Sequence, residues 1–420
     1  MSTMKIQGGH RLYGDVTIGG AKNNIVALIP ASILSDTPVK FEMVPDILDV
    51  HNLMLILQSM NVSSEFSDGK LTVNPTNIKE SRLPSKAIKS LRASYYFMGA
   101  LLGKFHRAVV SFPGGDNIGP RPIDQHIRAF EALGAQVTEK NGTVYIDATS
   151  NGLKGGSIFF DMVSVGATIN AILAATKADG VTTIHNVAKE PEIVDIVSFL
   201  NDMGANISGA GTDVIRIEGV SRLAANHIHT VIPDRIEAGT YLSLAVAVGD
   251  GILIKNVIPD HLQAFTNKLS EMGVQLEINE NSIYVPKSQK LHGVKITTAP
   301  FPGFATDWQQ PITPVLLGAD SESIIKDTIY PKRKMHVGQL SEMGAKIRVT
   351  DDNLIVIDPS DQLRGTTVSA GEIRAGASLV IAGLTAKGET IVTNTDNILR
   401  GYDNIVKKLT GLHAEVELIK

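Results

Sequence analysis

Residues 155–220 read GGSIFFDMVSVGATINAILAATKADGVTTIHNVAKEPEIVDIVSFLNDMGANISGAGTDVIRIEGV. The run 156–160 is short and strand-like. Residues 164–177 are small and apolar over a helical length. Residues 181–186 are rich in β-branched side chains, which favours a strand. The segment 190–203 is amphipathic, with Ile193, Val194, Ile196 and Leu200 as its apolar set and Asp195 and Asp202 as its polar one. Residues 205–208 and 214–218 close as a hairpin around Gly209-Ala210-Gly211. The order is β-α-β-α-β-β.

This unit recurs. A short signature after the second helix appears as Met60-Asn61-Val62, Leu133-Gly134-Ala135, Met203-Gly204-Ala205, Met272-Gly273-Val274, Met343-Gly344-Ala345 and Leu412-His413-Ala414. Its central positions lie 69–73 residues apart, so six units of about 70 residues fill the 420-residue chain. The corresponding first helices are expected at 24–35, 88–103, 236–248, 307–318 and 373–386. Each is rich in Ala, Gly or Leu, and such helices are buried on most sides. Three buried helices with their sheets outside make a compact body, so six units predict two similar α/β halves. A linear solenoid is the alternative, although solenoid repeats are usually shorter, roughly 20–45 residues.

The chain is 43% hydrophobic and 20% charged with a net charge of −4. That suffices for large cores and gives no bulk electrostatic case for nucleic acid or an anionic membrane as partner. Local clusters such as Lys332-Arg333-Lys334 can still meet a small anion. There is no cysteine, hence no disulfide, thiolate nucleophile or Cys-ligated metal. The eleven histidines are scattered, and no metal site is expected. The start, MSTMKIQGG, lacks a secretory pattern, and no apolar run reaches membrane-spanning length. A cytoplasmic protein is expected.

Functional residues should be those that break the copying. Gly19-Gly20-Ala21-Lys22-Asn23-Asn24 stands at a strand-to-helix junction, where free N–H groups and Lys22 favour an anion. It is not a P-loop, and an ordinary glycine turn is the plain alternative. Residues 111–127, SFPGGDNIGPRPIDQHI, hold too many Gly and Pro for a packed element and predict a long charged loop of the kind used as a lid. Arg92, Arg235 and Arg374 open apolar helices, and Arg333 and Arg400 precede amphipathic ones. Together they suggest one arginine-lined, anion-binding cleft. Asp307 sits at a similar junction, where a carboxylate is most often an N-cap.

Together the segments GGAKNN, LRAS, PGGDNIGPRPID, DMVSVGAT, EPEIVD, GAGTD, IPDRIEAGT, FATD, RKMHV, EIRAGASL and RGYD resemble the UDP-N-acetylglucosamine 1-carboxyvinyltransferases, the enolpyruvyl transferases of peptidoglycan synthesis. They run in family order from residue 19 to residue 403. The resemblance implies an inside-out α/β barrel with two similar domains, each of three βαβαββ repeats: 22–233 carrying the lid loop, and 1–21 plus 234–420, with the active site in the cleft between them. It implies transfer of the enolpyruvyl group of phosphoenolpyruvate to the 3-hydroxyl of UDP-N-acetylglucosamine, with release of phosphate. Both substrates are small molecules, and neither cofactor nor metal is implied.

The chemistry needs an acid to protonate C3 of phosphoenolpyruvate, a base for the sugar hydroxyl, and cations for phosphate and carboxylate. The resemblance implies Asp116 as acid and Asp307 as base, with Lys22, Asn23, Arg121 and Arg400 on phosphoenolpyruvate. It implies Asn23, Arg92, Arg121, Pro122, Ile123, Asp124, Gln125, Val163, Ser164, Val165, Gly166, Asp307, Ile329, Arg333, Glu372 and Arg374 along the sugar nucleotide. Three positions depart from the usual pattern. Asp116 stands where most relatives have Cys, the residue that fosfomycin alkylates, so resistance to fosfomycin is expected. Glu372 replaces Asp, and Met162 stands where some relatives have Lys. The alternatives are a 3-phosphoshikimate 1-carboxyvinyltransferase, whose lysine loop reads like PGSKS, and a non-catalytic UDP-sugar-binding paralogue.

Overall fold

The computed structural model describes residues 2–79, 82–83, 92–111, 122–287, 290–360 and 362–419. Asp116, Arg121 and most of the Gly/Pro-rich loop lie outside the described residues, as does the side chain of Arg92.

Each repeat folds as one small sheet with two helices. In the third, Ser157–Phe159 runs parallel to Val181–His185. Val181–His185 pairs antiparallel with Val214–Glu218, and that strand pairs with Asn206–Ser208. The spatial order of strands is therefore first, second, fourth, third. Four further four-stranded sheets have the same order, and a sixth shows three strands, with Arg82 bridged to Val109 where its first strand would run.

Two sheets are completed from distant chain. Leu12–Thr17 lies parallel to Gly249–Lys255, and Ile228–Thr230 lies parallel to Val39–Glu42. Thr3–Gly8 is the fourth strand of the last repeat, held between Gly388–Thr393 and Glu415–Ile419. Accordingly, the described residues divide into two compact units, 20–232 and 2–19 with 233–419. Each unit has its own apolar core.

The inner helices, numbered in chain order, are α1 (Lys22–Ser32), α2 (Phe97–Phe105), α3 (Val165–Ala175), α4 (Arg235–Val248), α5 (Gln309–Leu316) and α6 (Ile373–Thr385). Almost every residue in them is buried. Their small residues allow backbones to approach: a Cβ on Gly99 of α2 would lie 2.3 Å from the Asn170 carbonyl oxygen of α3. Side-chain caps start three of them: Ser164 for α3, Asp234 for α4 and Glu372 for α6. With helices inside and sheets outside, each unit is an inside-out α/β barrel of three βαβαββ repeats. The sheets do not continue into one another as a solenoid would require.

The amphipathic reading of 190–203 needs one correction. Helix Pro191–Asp202 buries Asp195 and exposes Val194. Asp195 is turned inward because Asn24 and His229 both bond its Oδ2.

Among the described residues, no helix is long and apolar enough to cross a membrane, and no cluster of three or more His, Asp or Glu could hold a metal.

Candidate functional site

In the unit containing α4–α6, the first turns of α5 and α6 meet around Asp307. Asp307 lies in the 3-10 turn Thr306–Trp308 that leads into α5. The cap positions of this turn and of α5 are Ala305 and Trp308; the Asp307 Oδ1 accepts from Arg333 Nη1 at 2.5 Å, and its Oδ2 accepts from Arg374 Nε at 3.3 Å. The N-cap expected of an aspartate here is thus replaced by a two-arginine clasp. Arg333 is gripped on its other side by Glu372, with Nη2 to Oε2 at 3.1 Å. Glu372 is fully buried and also accepts the Arg374 and Ala375 N–H groups at 3.1 and 3.0 Å. One carboxylate therefore starts α6 and fixes Arg333 at once.

Both arginines are buried. Burial alone would lower their pKa values, but neighbouring groups outweigh it and hold both above the usual range: Asp307 and Glu372 for Arg333, and Tyr402 and Asp307 for Arg374. Arg374 also lies over the Tyr402 ring at 5.1 Å. Its Nη1 is buried and makes no hydrogen bond. Beneath Arg333, Gln309 Nε2 donates to the Arg333 carbonyl at 2.9 Å. The buried His336 bridges Gln310 and Thr313 at 3.3 and 3.2 Å. Burial, with Arg333 nearby, pushes the His336 pKa down to about 3. Ile329 follows an Asp327 turn, in which Asp327 Oδ1 accepts the Ile329 and Tyr330 N–H groups at 2.9 Å each. Arg400 ends the one-turn helix Asp396–Leu399 and is half-buried.

In the other unit, Lys22 and Asn23 open α1, and Lys22 Nζ is 3.3 Å from Asp49 Oδ2. Asn24 donates to Asp195, and His229 Nε2 lies 2.9 Å from the same oxygen. The start of α1 is thereby tied to an outer helix and to the returning strand. Ser164 caps α3, accepting the Ala167 N–H at 3.3 Å, so Val163, Ser164, Val165 and Gly166 form an ordered helix start. A Cβ on Gly166 would lie 2.5 Å from the Tyr95 hydroxyl. Asp124 and Gln125 begin helix Asp124–Ala132, after exposed Pro122 and half-buried Ile123. Gln125 Oε1 accepts the Asp161 N–H at 3.0 Å, which joins that helix to the segment before α3.

Among the sequence candidates, the structure joins Asp307, Arg333, Glu372 and Arg374 into one network. The supporting residues Asp49, Asp195, His229 and Tyr402 were not singled out by the sequence. Asp195 lies within EPEIVD, where the spacing places it with the polar residues of the helix and gives no sign that it turns inward.

A family model described as EPSP synthase (3-phosphoshikimate 1-carboxyvinyltransferase) matches residues 6–409. The enolpyruvyl transferase NikO from Streptomyces tendae has the same fold, with a TM-score of 0.89 at 25% identity over 99% of this chain and 98% of that one. The class of protein is therefore that of the enolpyruvyl transferases. UDP-N-acetylglucosamine 1-carboxyvinyltransferase 2 of Lactiplantibacillus plantarum is 65% identical over 418 residues, 100% of this chain and 98% of that one. The protein of the same name from Latilactobacillus sakei is 56% identical over the full length of both chains. Within the class, the chain belongs to the UDP-N-acetylglucosamine 1-carboxyvinyltransferase family.

Proposed function

We infer that the protein transfers the enolpyruvyl group of phosphoenolpyruvate to the 3-hydroxyl of UDP-N-acetylglucosamine, in the first committed step of peptidoglycan synthesis. The observation that carries this reading is full-length identity of 51–65% to relatives bearing that enzyme's name.

The reaction adds the sugar oxygen to C2 of phosphoenolpyruvate while C3 gains a proton. The C2–O bond to phosphate then breaks as C3 loses a proton, so atoms balance without redox chemistry. Asp307 takes the hydroxyl proton and Asp116 supplies the proton to C3. Lys22, Arg121 and Arg400 hold the phosphoenolpyruvate anion, with Asn23 beside them. Arg92, Arg333, Glu372 and Arg374 orient the sugar. Pro122, Ile123, Asp124, Gln125, Ile329 and the α3 start at 163–166 take the uridine diphosphate portion. We place the activity in the cytoplasm, in service of wall growth, cell shape and division.

A phosphate-release assay tests the reading. Phosphate should appear only when both substrates are present, in step with enolpyruvyl-UDP-N-acetylglucosamine by mass. Release with shikimate 3-phosphate in place of the sugar nucleotide, or no release, would reject it. Fosfomycin should leave the protein unmodified, because the Asp116 carboxylate is a poor nucleophile toward the epoxide. Asp116→Cys should become covalently inactivated, which time-dependent mass analysis would detect.

A further inference from the structure

The residue after the second strand is Asn186 in the third repeat, Asn256 in the fourth and Asn394 in the sixth. All three take a left-handed φ of 57–58°. Each donates Nδ2 back to the end of its own repeat's first strand: to the Phe160 carbonyl at 2.7 Å, the Ile18 carbonyl at 2.8 Å and Ser369 Oγ at 2.8 Å. The fifth repeat breaks this copying. There the residue after Ser323–Lys326 is Asp327, which does not take the left-handed φ and whose carboxylate accepts instead of donating.

Asp327 is buried, and among the described residues four groups donate to it. Oδ1 accepts the Thr298 hydroxyl at 2.8 Å and the Ile329 and Tyr330 N–H groups at 2.9 Å each. Oδ2 accepts the Thr306 hydroxyl at 2.7 Å. Only the bond to Thr298 repeats what the asparagines do, closing the sheet onto its first strand, Lys295–Thr297. The other three reach the Ile329 loop and the turn Thr306–Trp308 that carries Asp307.

The Thr306 bond has a direction. Because its hydrogen goes to Asp327, the Thr306 oxygen presents lone pairs to Arg333, whose Nη1 donates to it at 3.4 Å. The same Nη1 donates to Asp307 Oδ1 at 2.5 Å. Hydrogen bonds thus run from Arg333 through Thr306 to Asp327, and they hold the guanidinium that grips Asp307.

We propose that Asp327 is a positioning residue for the transfer reaction: one buried carboxylate sets the Asp307 turn against the Ile329 loop. The proposal rests on the reading that Asp307 takes the hydroxyl proton and Ile329 meets the nucleotide. The donor-to-acceptor change at this one copy of the position is what fits the fifth repeat to that task.

Steady-state kinetics of the full-length protein test the proposal. In Asp327→Asn the amide oxygen must take the Oδ1 place, where two N–H groups and the Thr298 hydroxyl point. The amide nitrogen then faces Thr306 as a donor, which reverses that link while the loop is kept. kcat should fall about tenfold or more, and KM for UDP-N-acetylglucosamine should stay within about threefold. Asp327→Ala frees both segments. It should lower kcat and also raise KM for UDP-N-acetylglucosamine about tenfold, with KM for phosphoenolpyruvate within about threefold. Thr306→Val cuts the same bond from the other side and should lower kcat. Adding Asp327→Asn to it should change kcat by less than about twofold, because the effect of the amide runs through that hydroxyl. Loss of stability alone would not produce this coupling. Should Asp327→Ala fail to fold, the two near-isosteric variants decide. Parental kcat in Asp327→Asn, or multiplication of the two single effects in the double variant, would overturn the proposal while the parent remains an active transferase. A parent that releases no phosphate would defeat the reaction reading itself, and the proposal with it.

Discussion

Asp307 shows how a single carboxylate serves geometry and chemistry together. Arg333 and Arg374 both bond it, from 26 and 67 residues away, while Glu372 holds Arg333 from behind. Replacement by Asn keeps the shape but removes the capacity to take a proton. Asp307→Asn should lower kcat by about 10²–10⁴-fold, the usual range for loss of a general base, with smaller changes in the KM values. A kcat within a few-fold of the parent would leave Asp307 a positioning role only. His336 makes a separate prediction, about stability. Gln310 donates to Nδ1, so Nε2–H donates to Thr313, whose hydroxyl in turn donates to the Gln309 carbonyl. The folded-state pKa of about 3 lies below the ordinary 6.5. The neutral ring therefore contributes fully above about pH 6.5, and its contribution falls as the unfolded chain takes up the proton, down to about pH 3. Between pH 7 and pH 5 this one group should cost about 2 kcal/mol of unfolding free energy. Denaturant titrations at both pH values should show that the loss is absent from His336→Gln; an equal loss in the variant would assign it to other groups.

The helices and strands were largely legible because their signals are local. The 70-residue copying, the small-residue inner helices and the hairpin glycines fix element type without reference to distant chain. The first helices expected at 236–248 and 373–386 appear as Arg235–Val248 and Ile373–Thr385. Orientation was less legible where it depends on remote partners. Helix Pro191–Asp202 turns Asp195 inward because His229 and Asn24 wait for it, 34 and 171 residues away. Spacing alone cannot show that, and the same holds for the arginines on Asp307. The α2–α3 crossing gives a prediction at this scale. A Cβ at Gly99 would collide with backbone, at 2.3 Å from the Asn170 oxygen and 2.8 Å from its Cα. Gly99→Ala should destabilise by about 1–3 kcal/mol, as overpacking does. Gly338 is the control, being exposed in the outer helix Met335–Glu342 with nothing near a new Cβ. Gly338→Ala should stabilise by about 0.5–1 kcal/mol. Urea unfolding of both variants checks the pair, and similar effects at the two sites would contradict close packing of α2 on α3.

At the scale of the whole molecule, the chain order and the repeat order are out of step, and this has a mechanical consequence. The last repeat lacks its fourth strand until Thr3–Gly8 enters between Gly388–Thr393 and Glu415–Ile419. A middle strand supplies ladder bonds on both sides, and Met4 and Ile6 are fully buried in the core it covers. Deleting residues 2–9 should therefore unfold the unit of 233–419, with loss of far-UV helicity and of activity. Thr3 lies opposite Ile419, so the antiparallel partners end side by side, as the two arms of a hairpin do. Joining the termini through a short Asn-Gly turn, and opening the chain at the exposed Gly9-His10 bond, would make the last repeat continuous as βαβαββ. This permutant keeps every strand pairing and only moves the chain break to the Gly9-His10 bond. Its Tm should fall within a few degrees of the parent, and its kcat within a few-fold. If the permutant is as unstable as the deletion, the strand needs its covalent link to Leu12–Thr17, and the six-repeat description of the fold is incomplete.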